Sequence, residues 1–251
     1  MDILGIDIGG SGIKGAPVNT ETGELIDERF RIPTPQPATP KAVSKVVNEI
    51  AQHFSWKGAI GCTFPARIKR GIARTAANVD KSWLGANVET MIEQQTGCPT
   101  VVLNDADAAG VAELAFGAGQ GRDGMVLLLT FGTGIGSALF MDQQLVPNTE
   151  FGHIEMHKGP AEHYAADSAR KKHDLKWSEW AIRVQEYLDR IEFLLAPDLI
   201  IIGGGVSKPN KKAKFFDELR TDADLVTAQL QNNAGIIGGA YRAAQLLVTS
   251  H

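Results

Sequence analysis

Cysteine is scarce: Cys62 and Cys98 are the only two in 251 residues. They form no CxxC pair and no disulfide framework, and a reducing compartment fits them. A basic excess is also missing, since 25 Lys and Arg stand against 29 Asp and Glu, for a net charge of −4. A generic nucleic-acid binder carries the opposite balance, so nucleic acid is not the expected partner. Any polyanion this chain handles must be met by local groups. No apolar run reaches the ~18 residues of a membrane span. The opening Met1-Asp2-Ile3-Leu4 has no basic n-region, so no signal peptide is expected. Long polar tracts and short-period repeats are absent too. A cytoplasmic protein without a membrane partner is the resulting expectation.

What is present is ordinary for a folded chain: 43% hydrophobic and 22% charged residues, enough for one large domain or two compact ones. Residues 3–8, 13–19 and 25–32 read as three strands separated by turn formers. Four prolines in 33–40 forbid helix there, and a helix is expected from Pro40 to Phe54, with Val43, Val46, Val47, Ile50 and Ala51 on one face. Strands are expected at 58–63, 100–103, 125–130, 137–141 and 198–202, and helices at 106–116, 177–194 and 233–248. The glycines at 9–12 and 132–136 each join two strands, so strand–glycine turn–strand occurs twice, at 3–19 and 125–141. That duplication suggests two related lobes.

Gly9, Gly10, Ser11 and Gly12 can turn the backbone tightly and aim N–H groups at a phosphate oxygen, with the Ser11 hydroxyl as a further donor. Asp7, at the strand end, suits Mg²⁺, directly or through water. Lys14 supplies positive charge or supports the fold. A plain β-hairpin is the alternative reading of this segment. The second turn, with Thr133 and Gly134, shifts the balance, because two facing anion cradles can grip a phosphate chain. Asn104-Asp105 lies where a strand becomes a helix. Asp105 is placed to take a proton from a hydroxyl and Asn104 to orient a substrate, while helix capping explains the pair equally well. Glu150 and His153 flank Phe151-Gly152, and both can hydrogen-bond a polyol. A surface turn with a structural histidine is the alternative. Glu155 and Glu162 have weaker claims. Trp177 and Trp180, at helical spacing, are expected in packing, and Trp83 is the better sugar-side aromatic or else a packing residue.

The segments DIGGSGIK, ANVDKSWLG, LNDADAA, TFGTGIGSA, EFGH, LIIIGGG and NNAGIIGGA occur in that order. With them the sequence resembles the ROK kinases, a branch of the actin-like (ribonuclease H-like) fold, and within them the polyphosphate glucokinase branch. The resemblance implies an α/β two-lobed kinase fold with a central cleft, the lobes being 1–105 plus 235–251, and 106–234. It implies Asp105 as catalytic base. Asn78, Asn104, Glu150, His153 and Glu162 would contact the sugar. Gly9, Gly10, Ser11, Gly12, Lys14, Thr133 and Gly134 would cradle phosphate, and Asp7 would hold Mg²⁺. It also implies a homodimer. Many relatives follow the GH motif with a CxCGxxGC zinc site. This chain has no cysteine after Cys98, so no zinc is expected. The sequence opens at the kinase strand, so the helix-turn-helix domain of the ROK repressors is not expected.

The expected reaction moves a phosphoryl group onto a hexose, glucose above all, from polyphosphate, ATP or both. The glycines at 203–205, Gly204 among them, suit a donor pocket. Lys208, Lys211, Lys212 and Lys214 follow directly and either track a long polyphosphate or form a solvated basic loop. An ATP-dependent kinase for another hexose, a non-catalytic sugar sensor and an actin-like ATPase are the competing readings.

Overall fold

The computed structural model describes residues 1–76 and 79–248. Two compact units are present, Met1–Ala112 with Asn232–His251, and Glu113–Gln231.

In the first unit β1 (Asp2–Ile8), β2 (Ile13–Asn19) and β3 (Phe30–Ile32) form an antiparallel meander. The strand expected over 25–32 is therefore short. Leu25 makes only an isolated bridge to Val18, and Glu28 N–H donates to the Asp27 carboxylate instead of to a ladder. Helix α1 (Pro40–His53) starts on a Thr39 cap with proline in its first turn and buries the predicted apolar face. Then come β4 (Ile60–Phe64), the small hairpin β5 (Ile68–Lys69) and β6 (Ile72–Ala73), helix α2 (Val88–Thr96), β7 (Thr100–Asn104) and helix α3 (Asp105–Phe116). The sheet order is β3-β2-β1-β4-β7, with β4 and β7 parallel to β1. Helix α2 escaped the sequence reading. Asn87 caps it, Gly97 ends it at φ +70°, and Glu89 and Glu93 accept the Val102 and Thr100 N–H groups of edge strand β7. Burial pushes the Glu89 carboxyl up.

The second unit repeats the plan. Strands β8 (Met125–Phe131), β9 (Ile135–Met141) and β10 (Gln144–Val146) form the meander. The hairpin β11 (Glu155–Met156) and β12 (Gly159–Pro160) follows, then helices α4 (Glu162–Ala165), α5 (Asp167–Lys172) and α6 (Trp177–Leu195). Strand β13 (Leu199–Gly204), helix α7 (Pro209–Lys212) and β14 (Asp224–Thr227) complete it. The order β10-β9-β8-β13-β14, with β13 and β14 parallel to β8, matches the first sheet strand for strand. The duplicated glycine turns of the sequence are thus the visible part of a duplicated sheet.

The last helix, α8 (Ala234–Val248), packs on β1 and β4 of the first unit. The parallel register sets Gly5 beside Gly61. A Cβ on Gly5 would stand 2.1 Å from the Ile236 carbonyl oxygen, and one on Gly61 2.0 Å from that of Gly239. Two glycines side by side let the helix backbone lie on the sheet, and its first turn reaches the end of β1. Trp83 is fully buried, with its indole N–H on the Ala38 carbonyl and its ring 4.6 Å from Phe64. It is a packing residue, which corrects its choice as a sugar-side aromatic. Trp180 is buried as well, bonded to the Ala165 carbonyl. No helix among the described residues is long and apolar enough to cross a membrane.

Candidate active site

In the first unit the register decides which side chains meet at the end of β1. Asp7 pairs with Lys14 across β2 and with Thr63 across β4. Its carboxylate accepts the Thr63 hydroxyl at 2.7 Å and lies 3.0 Å from Lys14 Nζ. Gly235, in the first turn of α8, approaches so closely that a Cβ there would be 3.1 Å from Asp7 Cγ. The partial positive charge of that helix start favours a carboxylate. Lys14 also donates to the Asn232 carbonyl at 3.0 Å.

The turn beyond Asp7 is open. Gly9 N–H closes it on the Gly12 carbonyl at 3.1 Å. Among the described residues the N–H groups of Gly10, Ser11 and Gly12 donate to no protein acceptor, and Gly10 and Ser11 are exposed. Two side chains unforeseen in the sequence brace the turn: Thr34 donates to the Gly9 carbonyl, and Arg31 to that of Ser11 at 2.9 Å.

Asn104 and Asp105 share the junction of β7 and α3 but differ in use. The Asn104 side-chain oxygen accepts the N–H groups of Ala106 and Asp107 at 2.8 and 3.2 Å, so it caps the helix. Its amide donates once, to the Ala66 carbonyl at 3.2 Å, which leaves its second hydrogen for a ligand. Asp105 is exposed at the first helical position and also accepts the Ala106 N–H. Asn78, the other sugar contact expected here, lies outside the described residues.

In the second unit the turn after β8 closes from Gly132 N–H to the Gly134 carbonyl, 3.0 Å. Ser168, at the start of α5, clamps it through its N–H on Gly132 and its hydroxyl on the Thr133 carbonyl at 2.6 Å. Thr133 is exposed, and its N–H and that of Gly134 donate to no protein acceptor among the described residues. Glu162 reaches the same turn. Its carboxylate accepts Ile135 N–H at 3.2 Å, over a glycine whose Cβ would lie 2.2 Å from it. An anion already rests on this backbone.

The Glu150–His153 segment is fastened to β9. Ser137, buried, donates to the Thr149 carbonyl and accepts Phe151 N–H, and Gly152 sits where a Cβ would be 2.2 Å from the Ile135 carbonyl. His153 consequently stands between two carboxylates, Nδ1 3.7 Å from Glu150 and Nε2 4.0 Å from Glu162. Two acceptors and a ring donor on one small patch suit adjacent hydroxyls of a polyol. The hairpin that follows His153 is held by His157, 2.9 Å from Glu186, which also accepts the Tyr164 hydroxyl.

Gly204 ends β13 beside Phe131 at φ +80°, where a side chain would strike the Phe131 carbonyl at 2.6 Å. Of the lysines beyond it, Lys208 stands at the residue before the short α7 without a side-chain capping bond, and Lys211 Nζ approaches Gly205. Lys212 and Lys214 lie over the rings of Phe216 and Trp177, at 4.9 and 5.7 Å. A cavity of about 530 Å³ near Met1, Glu21 and Leu246 carries none of these groups. Among the described residues no three His, Cys, Asp or Glu side chains group as a metal site.

The profile of the ROK family matches residues 3–173. The chain is 49% identical over 249 residues to the polyphosphate glucokinase of Mycobacterium tuberculosis strain H37Rv, covering 99% of this chain and 92% of that protein. It superposes on the inorganic polyphosphate/ATP-glucomannokinase of Arthrobacter sp. strain KM with a TM-score of 0.92 and 44% identity, over 98% and 99% of the two chains. A ROK glucokinase from Streptomyces griseus, solved with glucose and AMPPNP, matches with a TM-score of 0.81 and 26% identity, over 98% and 100%. The fold is the actin-like α/β arrangement expected from the sequence.

Proposed function

The chain belongs to the ROK family, and on that premise we propose that it phosphorylates glucose at the 6-hydroxyl, with inorganic polyphosphate as donor and ATP as a second donor. The observation that carries the reading is His153 held between Glu150 and Glu162 on the Thr133-Gly134 turn. It sets a polyol-binding patch against a phosphate cradle within one unit. The likeness to the mycobacterial and Arthrobacter enzymes supports the choice of acceptor and donor.

In the second unit Glu150, His153 and Glu162 orient the sugar, and in the first the remaining amide hydrogen of Asn104 is offered to a ligand. Asp105 accepts the proton of the attacking hydroxyl. In each unit the glycine turn, with Ser11 in the first and Thr133 in the second, offers open N–H groups to a phosphate, the kind of contact that stabilises charge spreading over a transferred group. Mg²⁺ suits this donor set, because it keeps most of its water and binds through phosphates with one or two carboxylates. Asp7 would hold it, and the ion supplies charge neutralisation. Lys14, already on Asp7, keeps that carboxylate in place. The family resemblance implies a homodimer, which sedimentation equilibrium reads directly.

The test is glucose 6-phosphate formation by purified protein with glucose, Mg²⁺ and either long-chain polyphosphate or ATP. Product with polyphosphate at a higher kcat/KM than with ATP is expected. Product with ATP alone would remove the donor assignment and keep the kinase. No product from either donor, in protein that melts cooperatively, would leave a sugar sensor.

A further inference from the structure

We propose that Arg29 and Arg31, in line with Lys14, form a phosphate-chain subsite. It continues outward from the Gly9–Gly12 turn and holds the units of a polyphosphate that are not transferred. The proposal rests on polyphosphate being a donor, and its test separates the two.

Strand pairing builds the row. Asp7 faces Lys14, and Lys14 faces Arg31, across three neighbouring strands. Phe30 turns away from Arg31 and stacks on His53 at 3.8 Å, while Arg29, just before β3, reaches the side of Lys14. Arg29 and Lys14 donate to the same carbonyl, that of Asn232, at 3.3 and 3.0 Å. Arg31 lies on the phosphate turn itself. Its guanidinium is where a Gly12 Cβ would be, with Nε and Nη2 at 2.5 Å from that point, and Nη2 holds the Ser11 carbonyl. Gly12 thus gives the guanidinium its seat as well as closing the turn.

The charges in this row are poorly matched by the protein. Lys14 has Asp7, but among the described residues neither Arg29 nor Arg31 pairs with a carboxylate. Both are exposed, and each keeps most of its five N–H donors for another partner. Guanidinium forks fit phosphate oxygens in a bidentate way. The open amides of Gly10, Ser11 and Gly12 lead directly to Arg31, and Arg31 to Arg29, a row of donors longer than one phosphate needs. The ligand class is therefore a linear phosphate chain. A nucleoside triphosphate replaces its outer units by a sugar and a base and has less to offer the row. The basic loop at 208–214 is the weaker candidate, since two of its lysines are held on aromatic rings.

The experiment is titration calorimetry of the full chain without sugar, using long-chain polyphosphate and tripolyphosphate, on wild type, R29Q, R31Q, the double variant and R31K. The double variant should lose about tenfold or more in affinity for the long chain, and much less for tripolyphosphate. The salt dependence of long-chain binding should become shallower by about one unit of slope per lost contact. R31K, which keeps charge without the fork, should fall between. Unchanged melting temperatures are expected of exposed side chains and exclude misfolding. Equal losses for both ligands, or no loss for the long chain, would overturn the subsite while the donor assignment stands. A wild type that binds no polyphosphate yet makes product from ATP would overturn both.

Discussion

Asn104 holds the start of α3 with one atom and keeps a single hydrogen for a ligand, whereas Asp105 is exposed beside it. Replacing Asp105 by Asn keeps shape and removes the base. Turnover should fall by about 10²–10⁴ while glucose affinity, read by calorimetry, shifts only a few-fold. Retained turnover would reassign the base. Asp167 carries a different prediction. Burial works to raise its carboxyl, but Lys171 and Arg170, at 2.8 and 2.9 Å, outweigh that and hold it below the usual carboxylate range. A depressed carboxyl stabilises the fold above its ordinary pKa and loses that contribution as pH falls through the folded value. Urea unfolding should therefore show wild type ahead of D167N by about 1–3 kcal/mol at neutral pH, with the gap narrowing below about pH 4. A constant gap across that range would mean that the pair is not what D167N removes.

Glycine at the level of the element serves two separate ends in this protein. Gly61 and Gly5 let α8 lie on the sheet, and that contact brings Gly235 to Asp7. Gly61→Ala would place a methyl 2.0 Å from a backbone oxygen that cannot swing aside. A loss of about 2–4 kcal/mol in unfolding free energy is expected. Gly10→Ala meets nothing within 4 Å and should cost under about 0.5 kcal/mol, so equal costs would refute the close-packing account. The elements themselves were readable where apolar spacing was regular, as in α1 and α6. They were not where local chemistry intervened, as at Asp27-Glu28, or where a helix is short and half polar, as in α2.

The whole molecule carries a net charge of −4 and so repels the polyanion that its glycine turns are suited to bind. Attraction must come from exposed local cations, which salt screens over ~8–10 Å. Raising ionic strength should depress kcat/KM for long-chain polyphosphate more steeply than for ATP, and parallel declines would count against a chain-tracking surface. The sequence by itself determined the duplicated strand–turn–strand plan and the two glycine turns, because apolar spacing and turn chemistry are local features. Tertiary structure alone decided that Trp83 is core, that Glu162 rests on the second turn, and that Arg31 lies on the first. Those outcomes depend on strand register and on how closely two backbones approach, and neither quantity is written in any one segment of the chain.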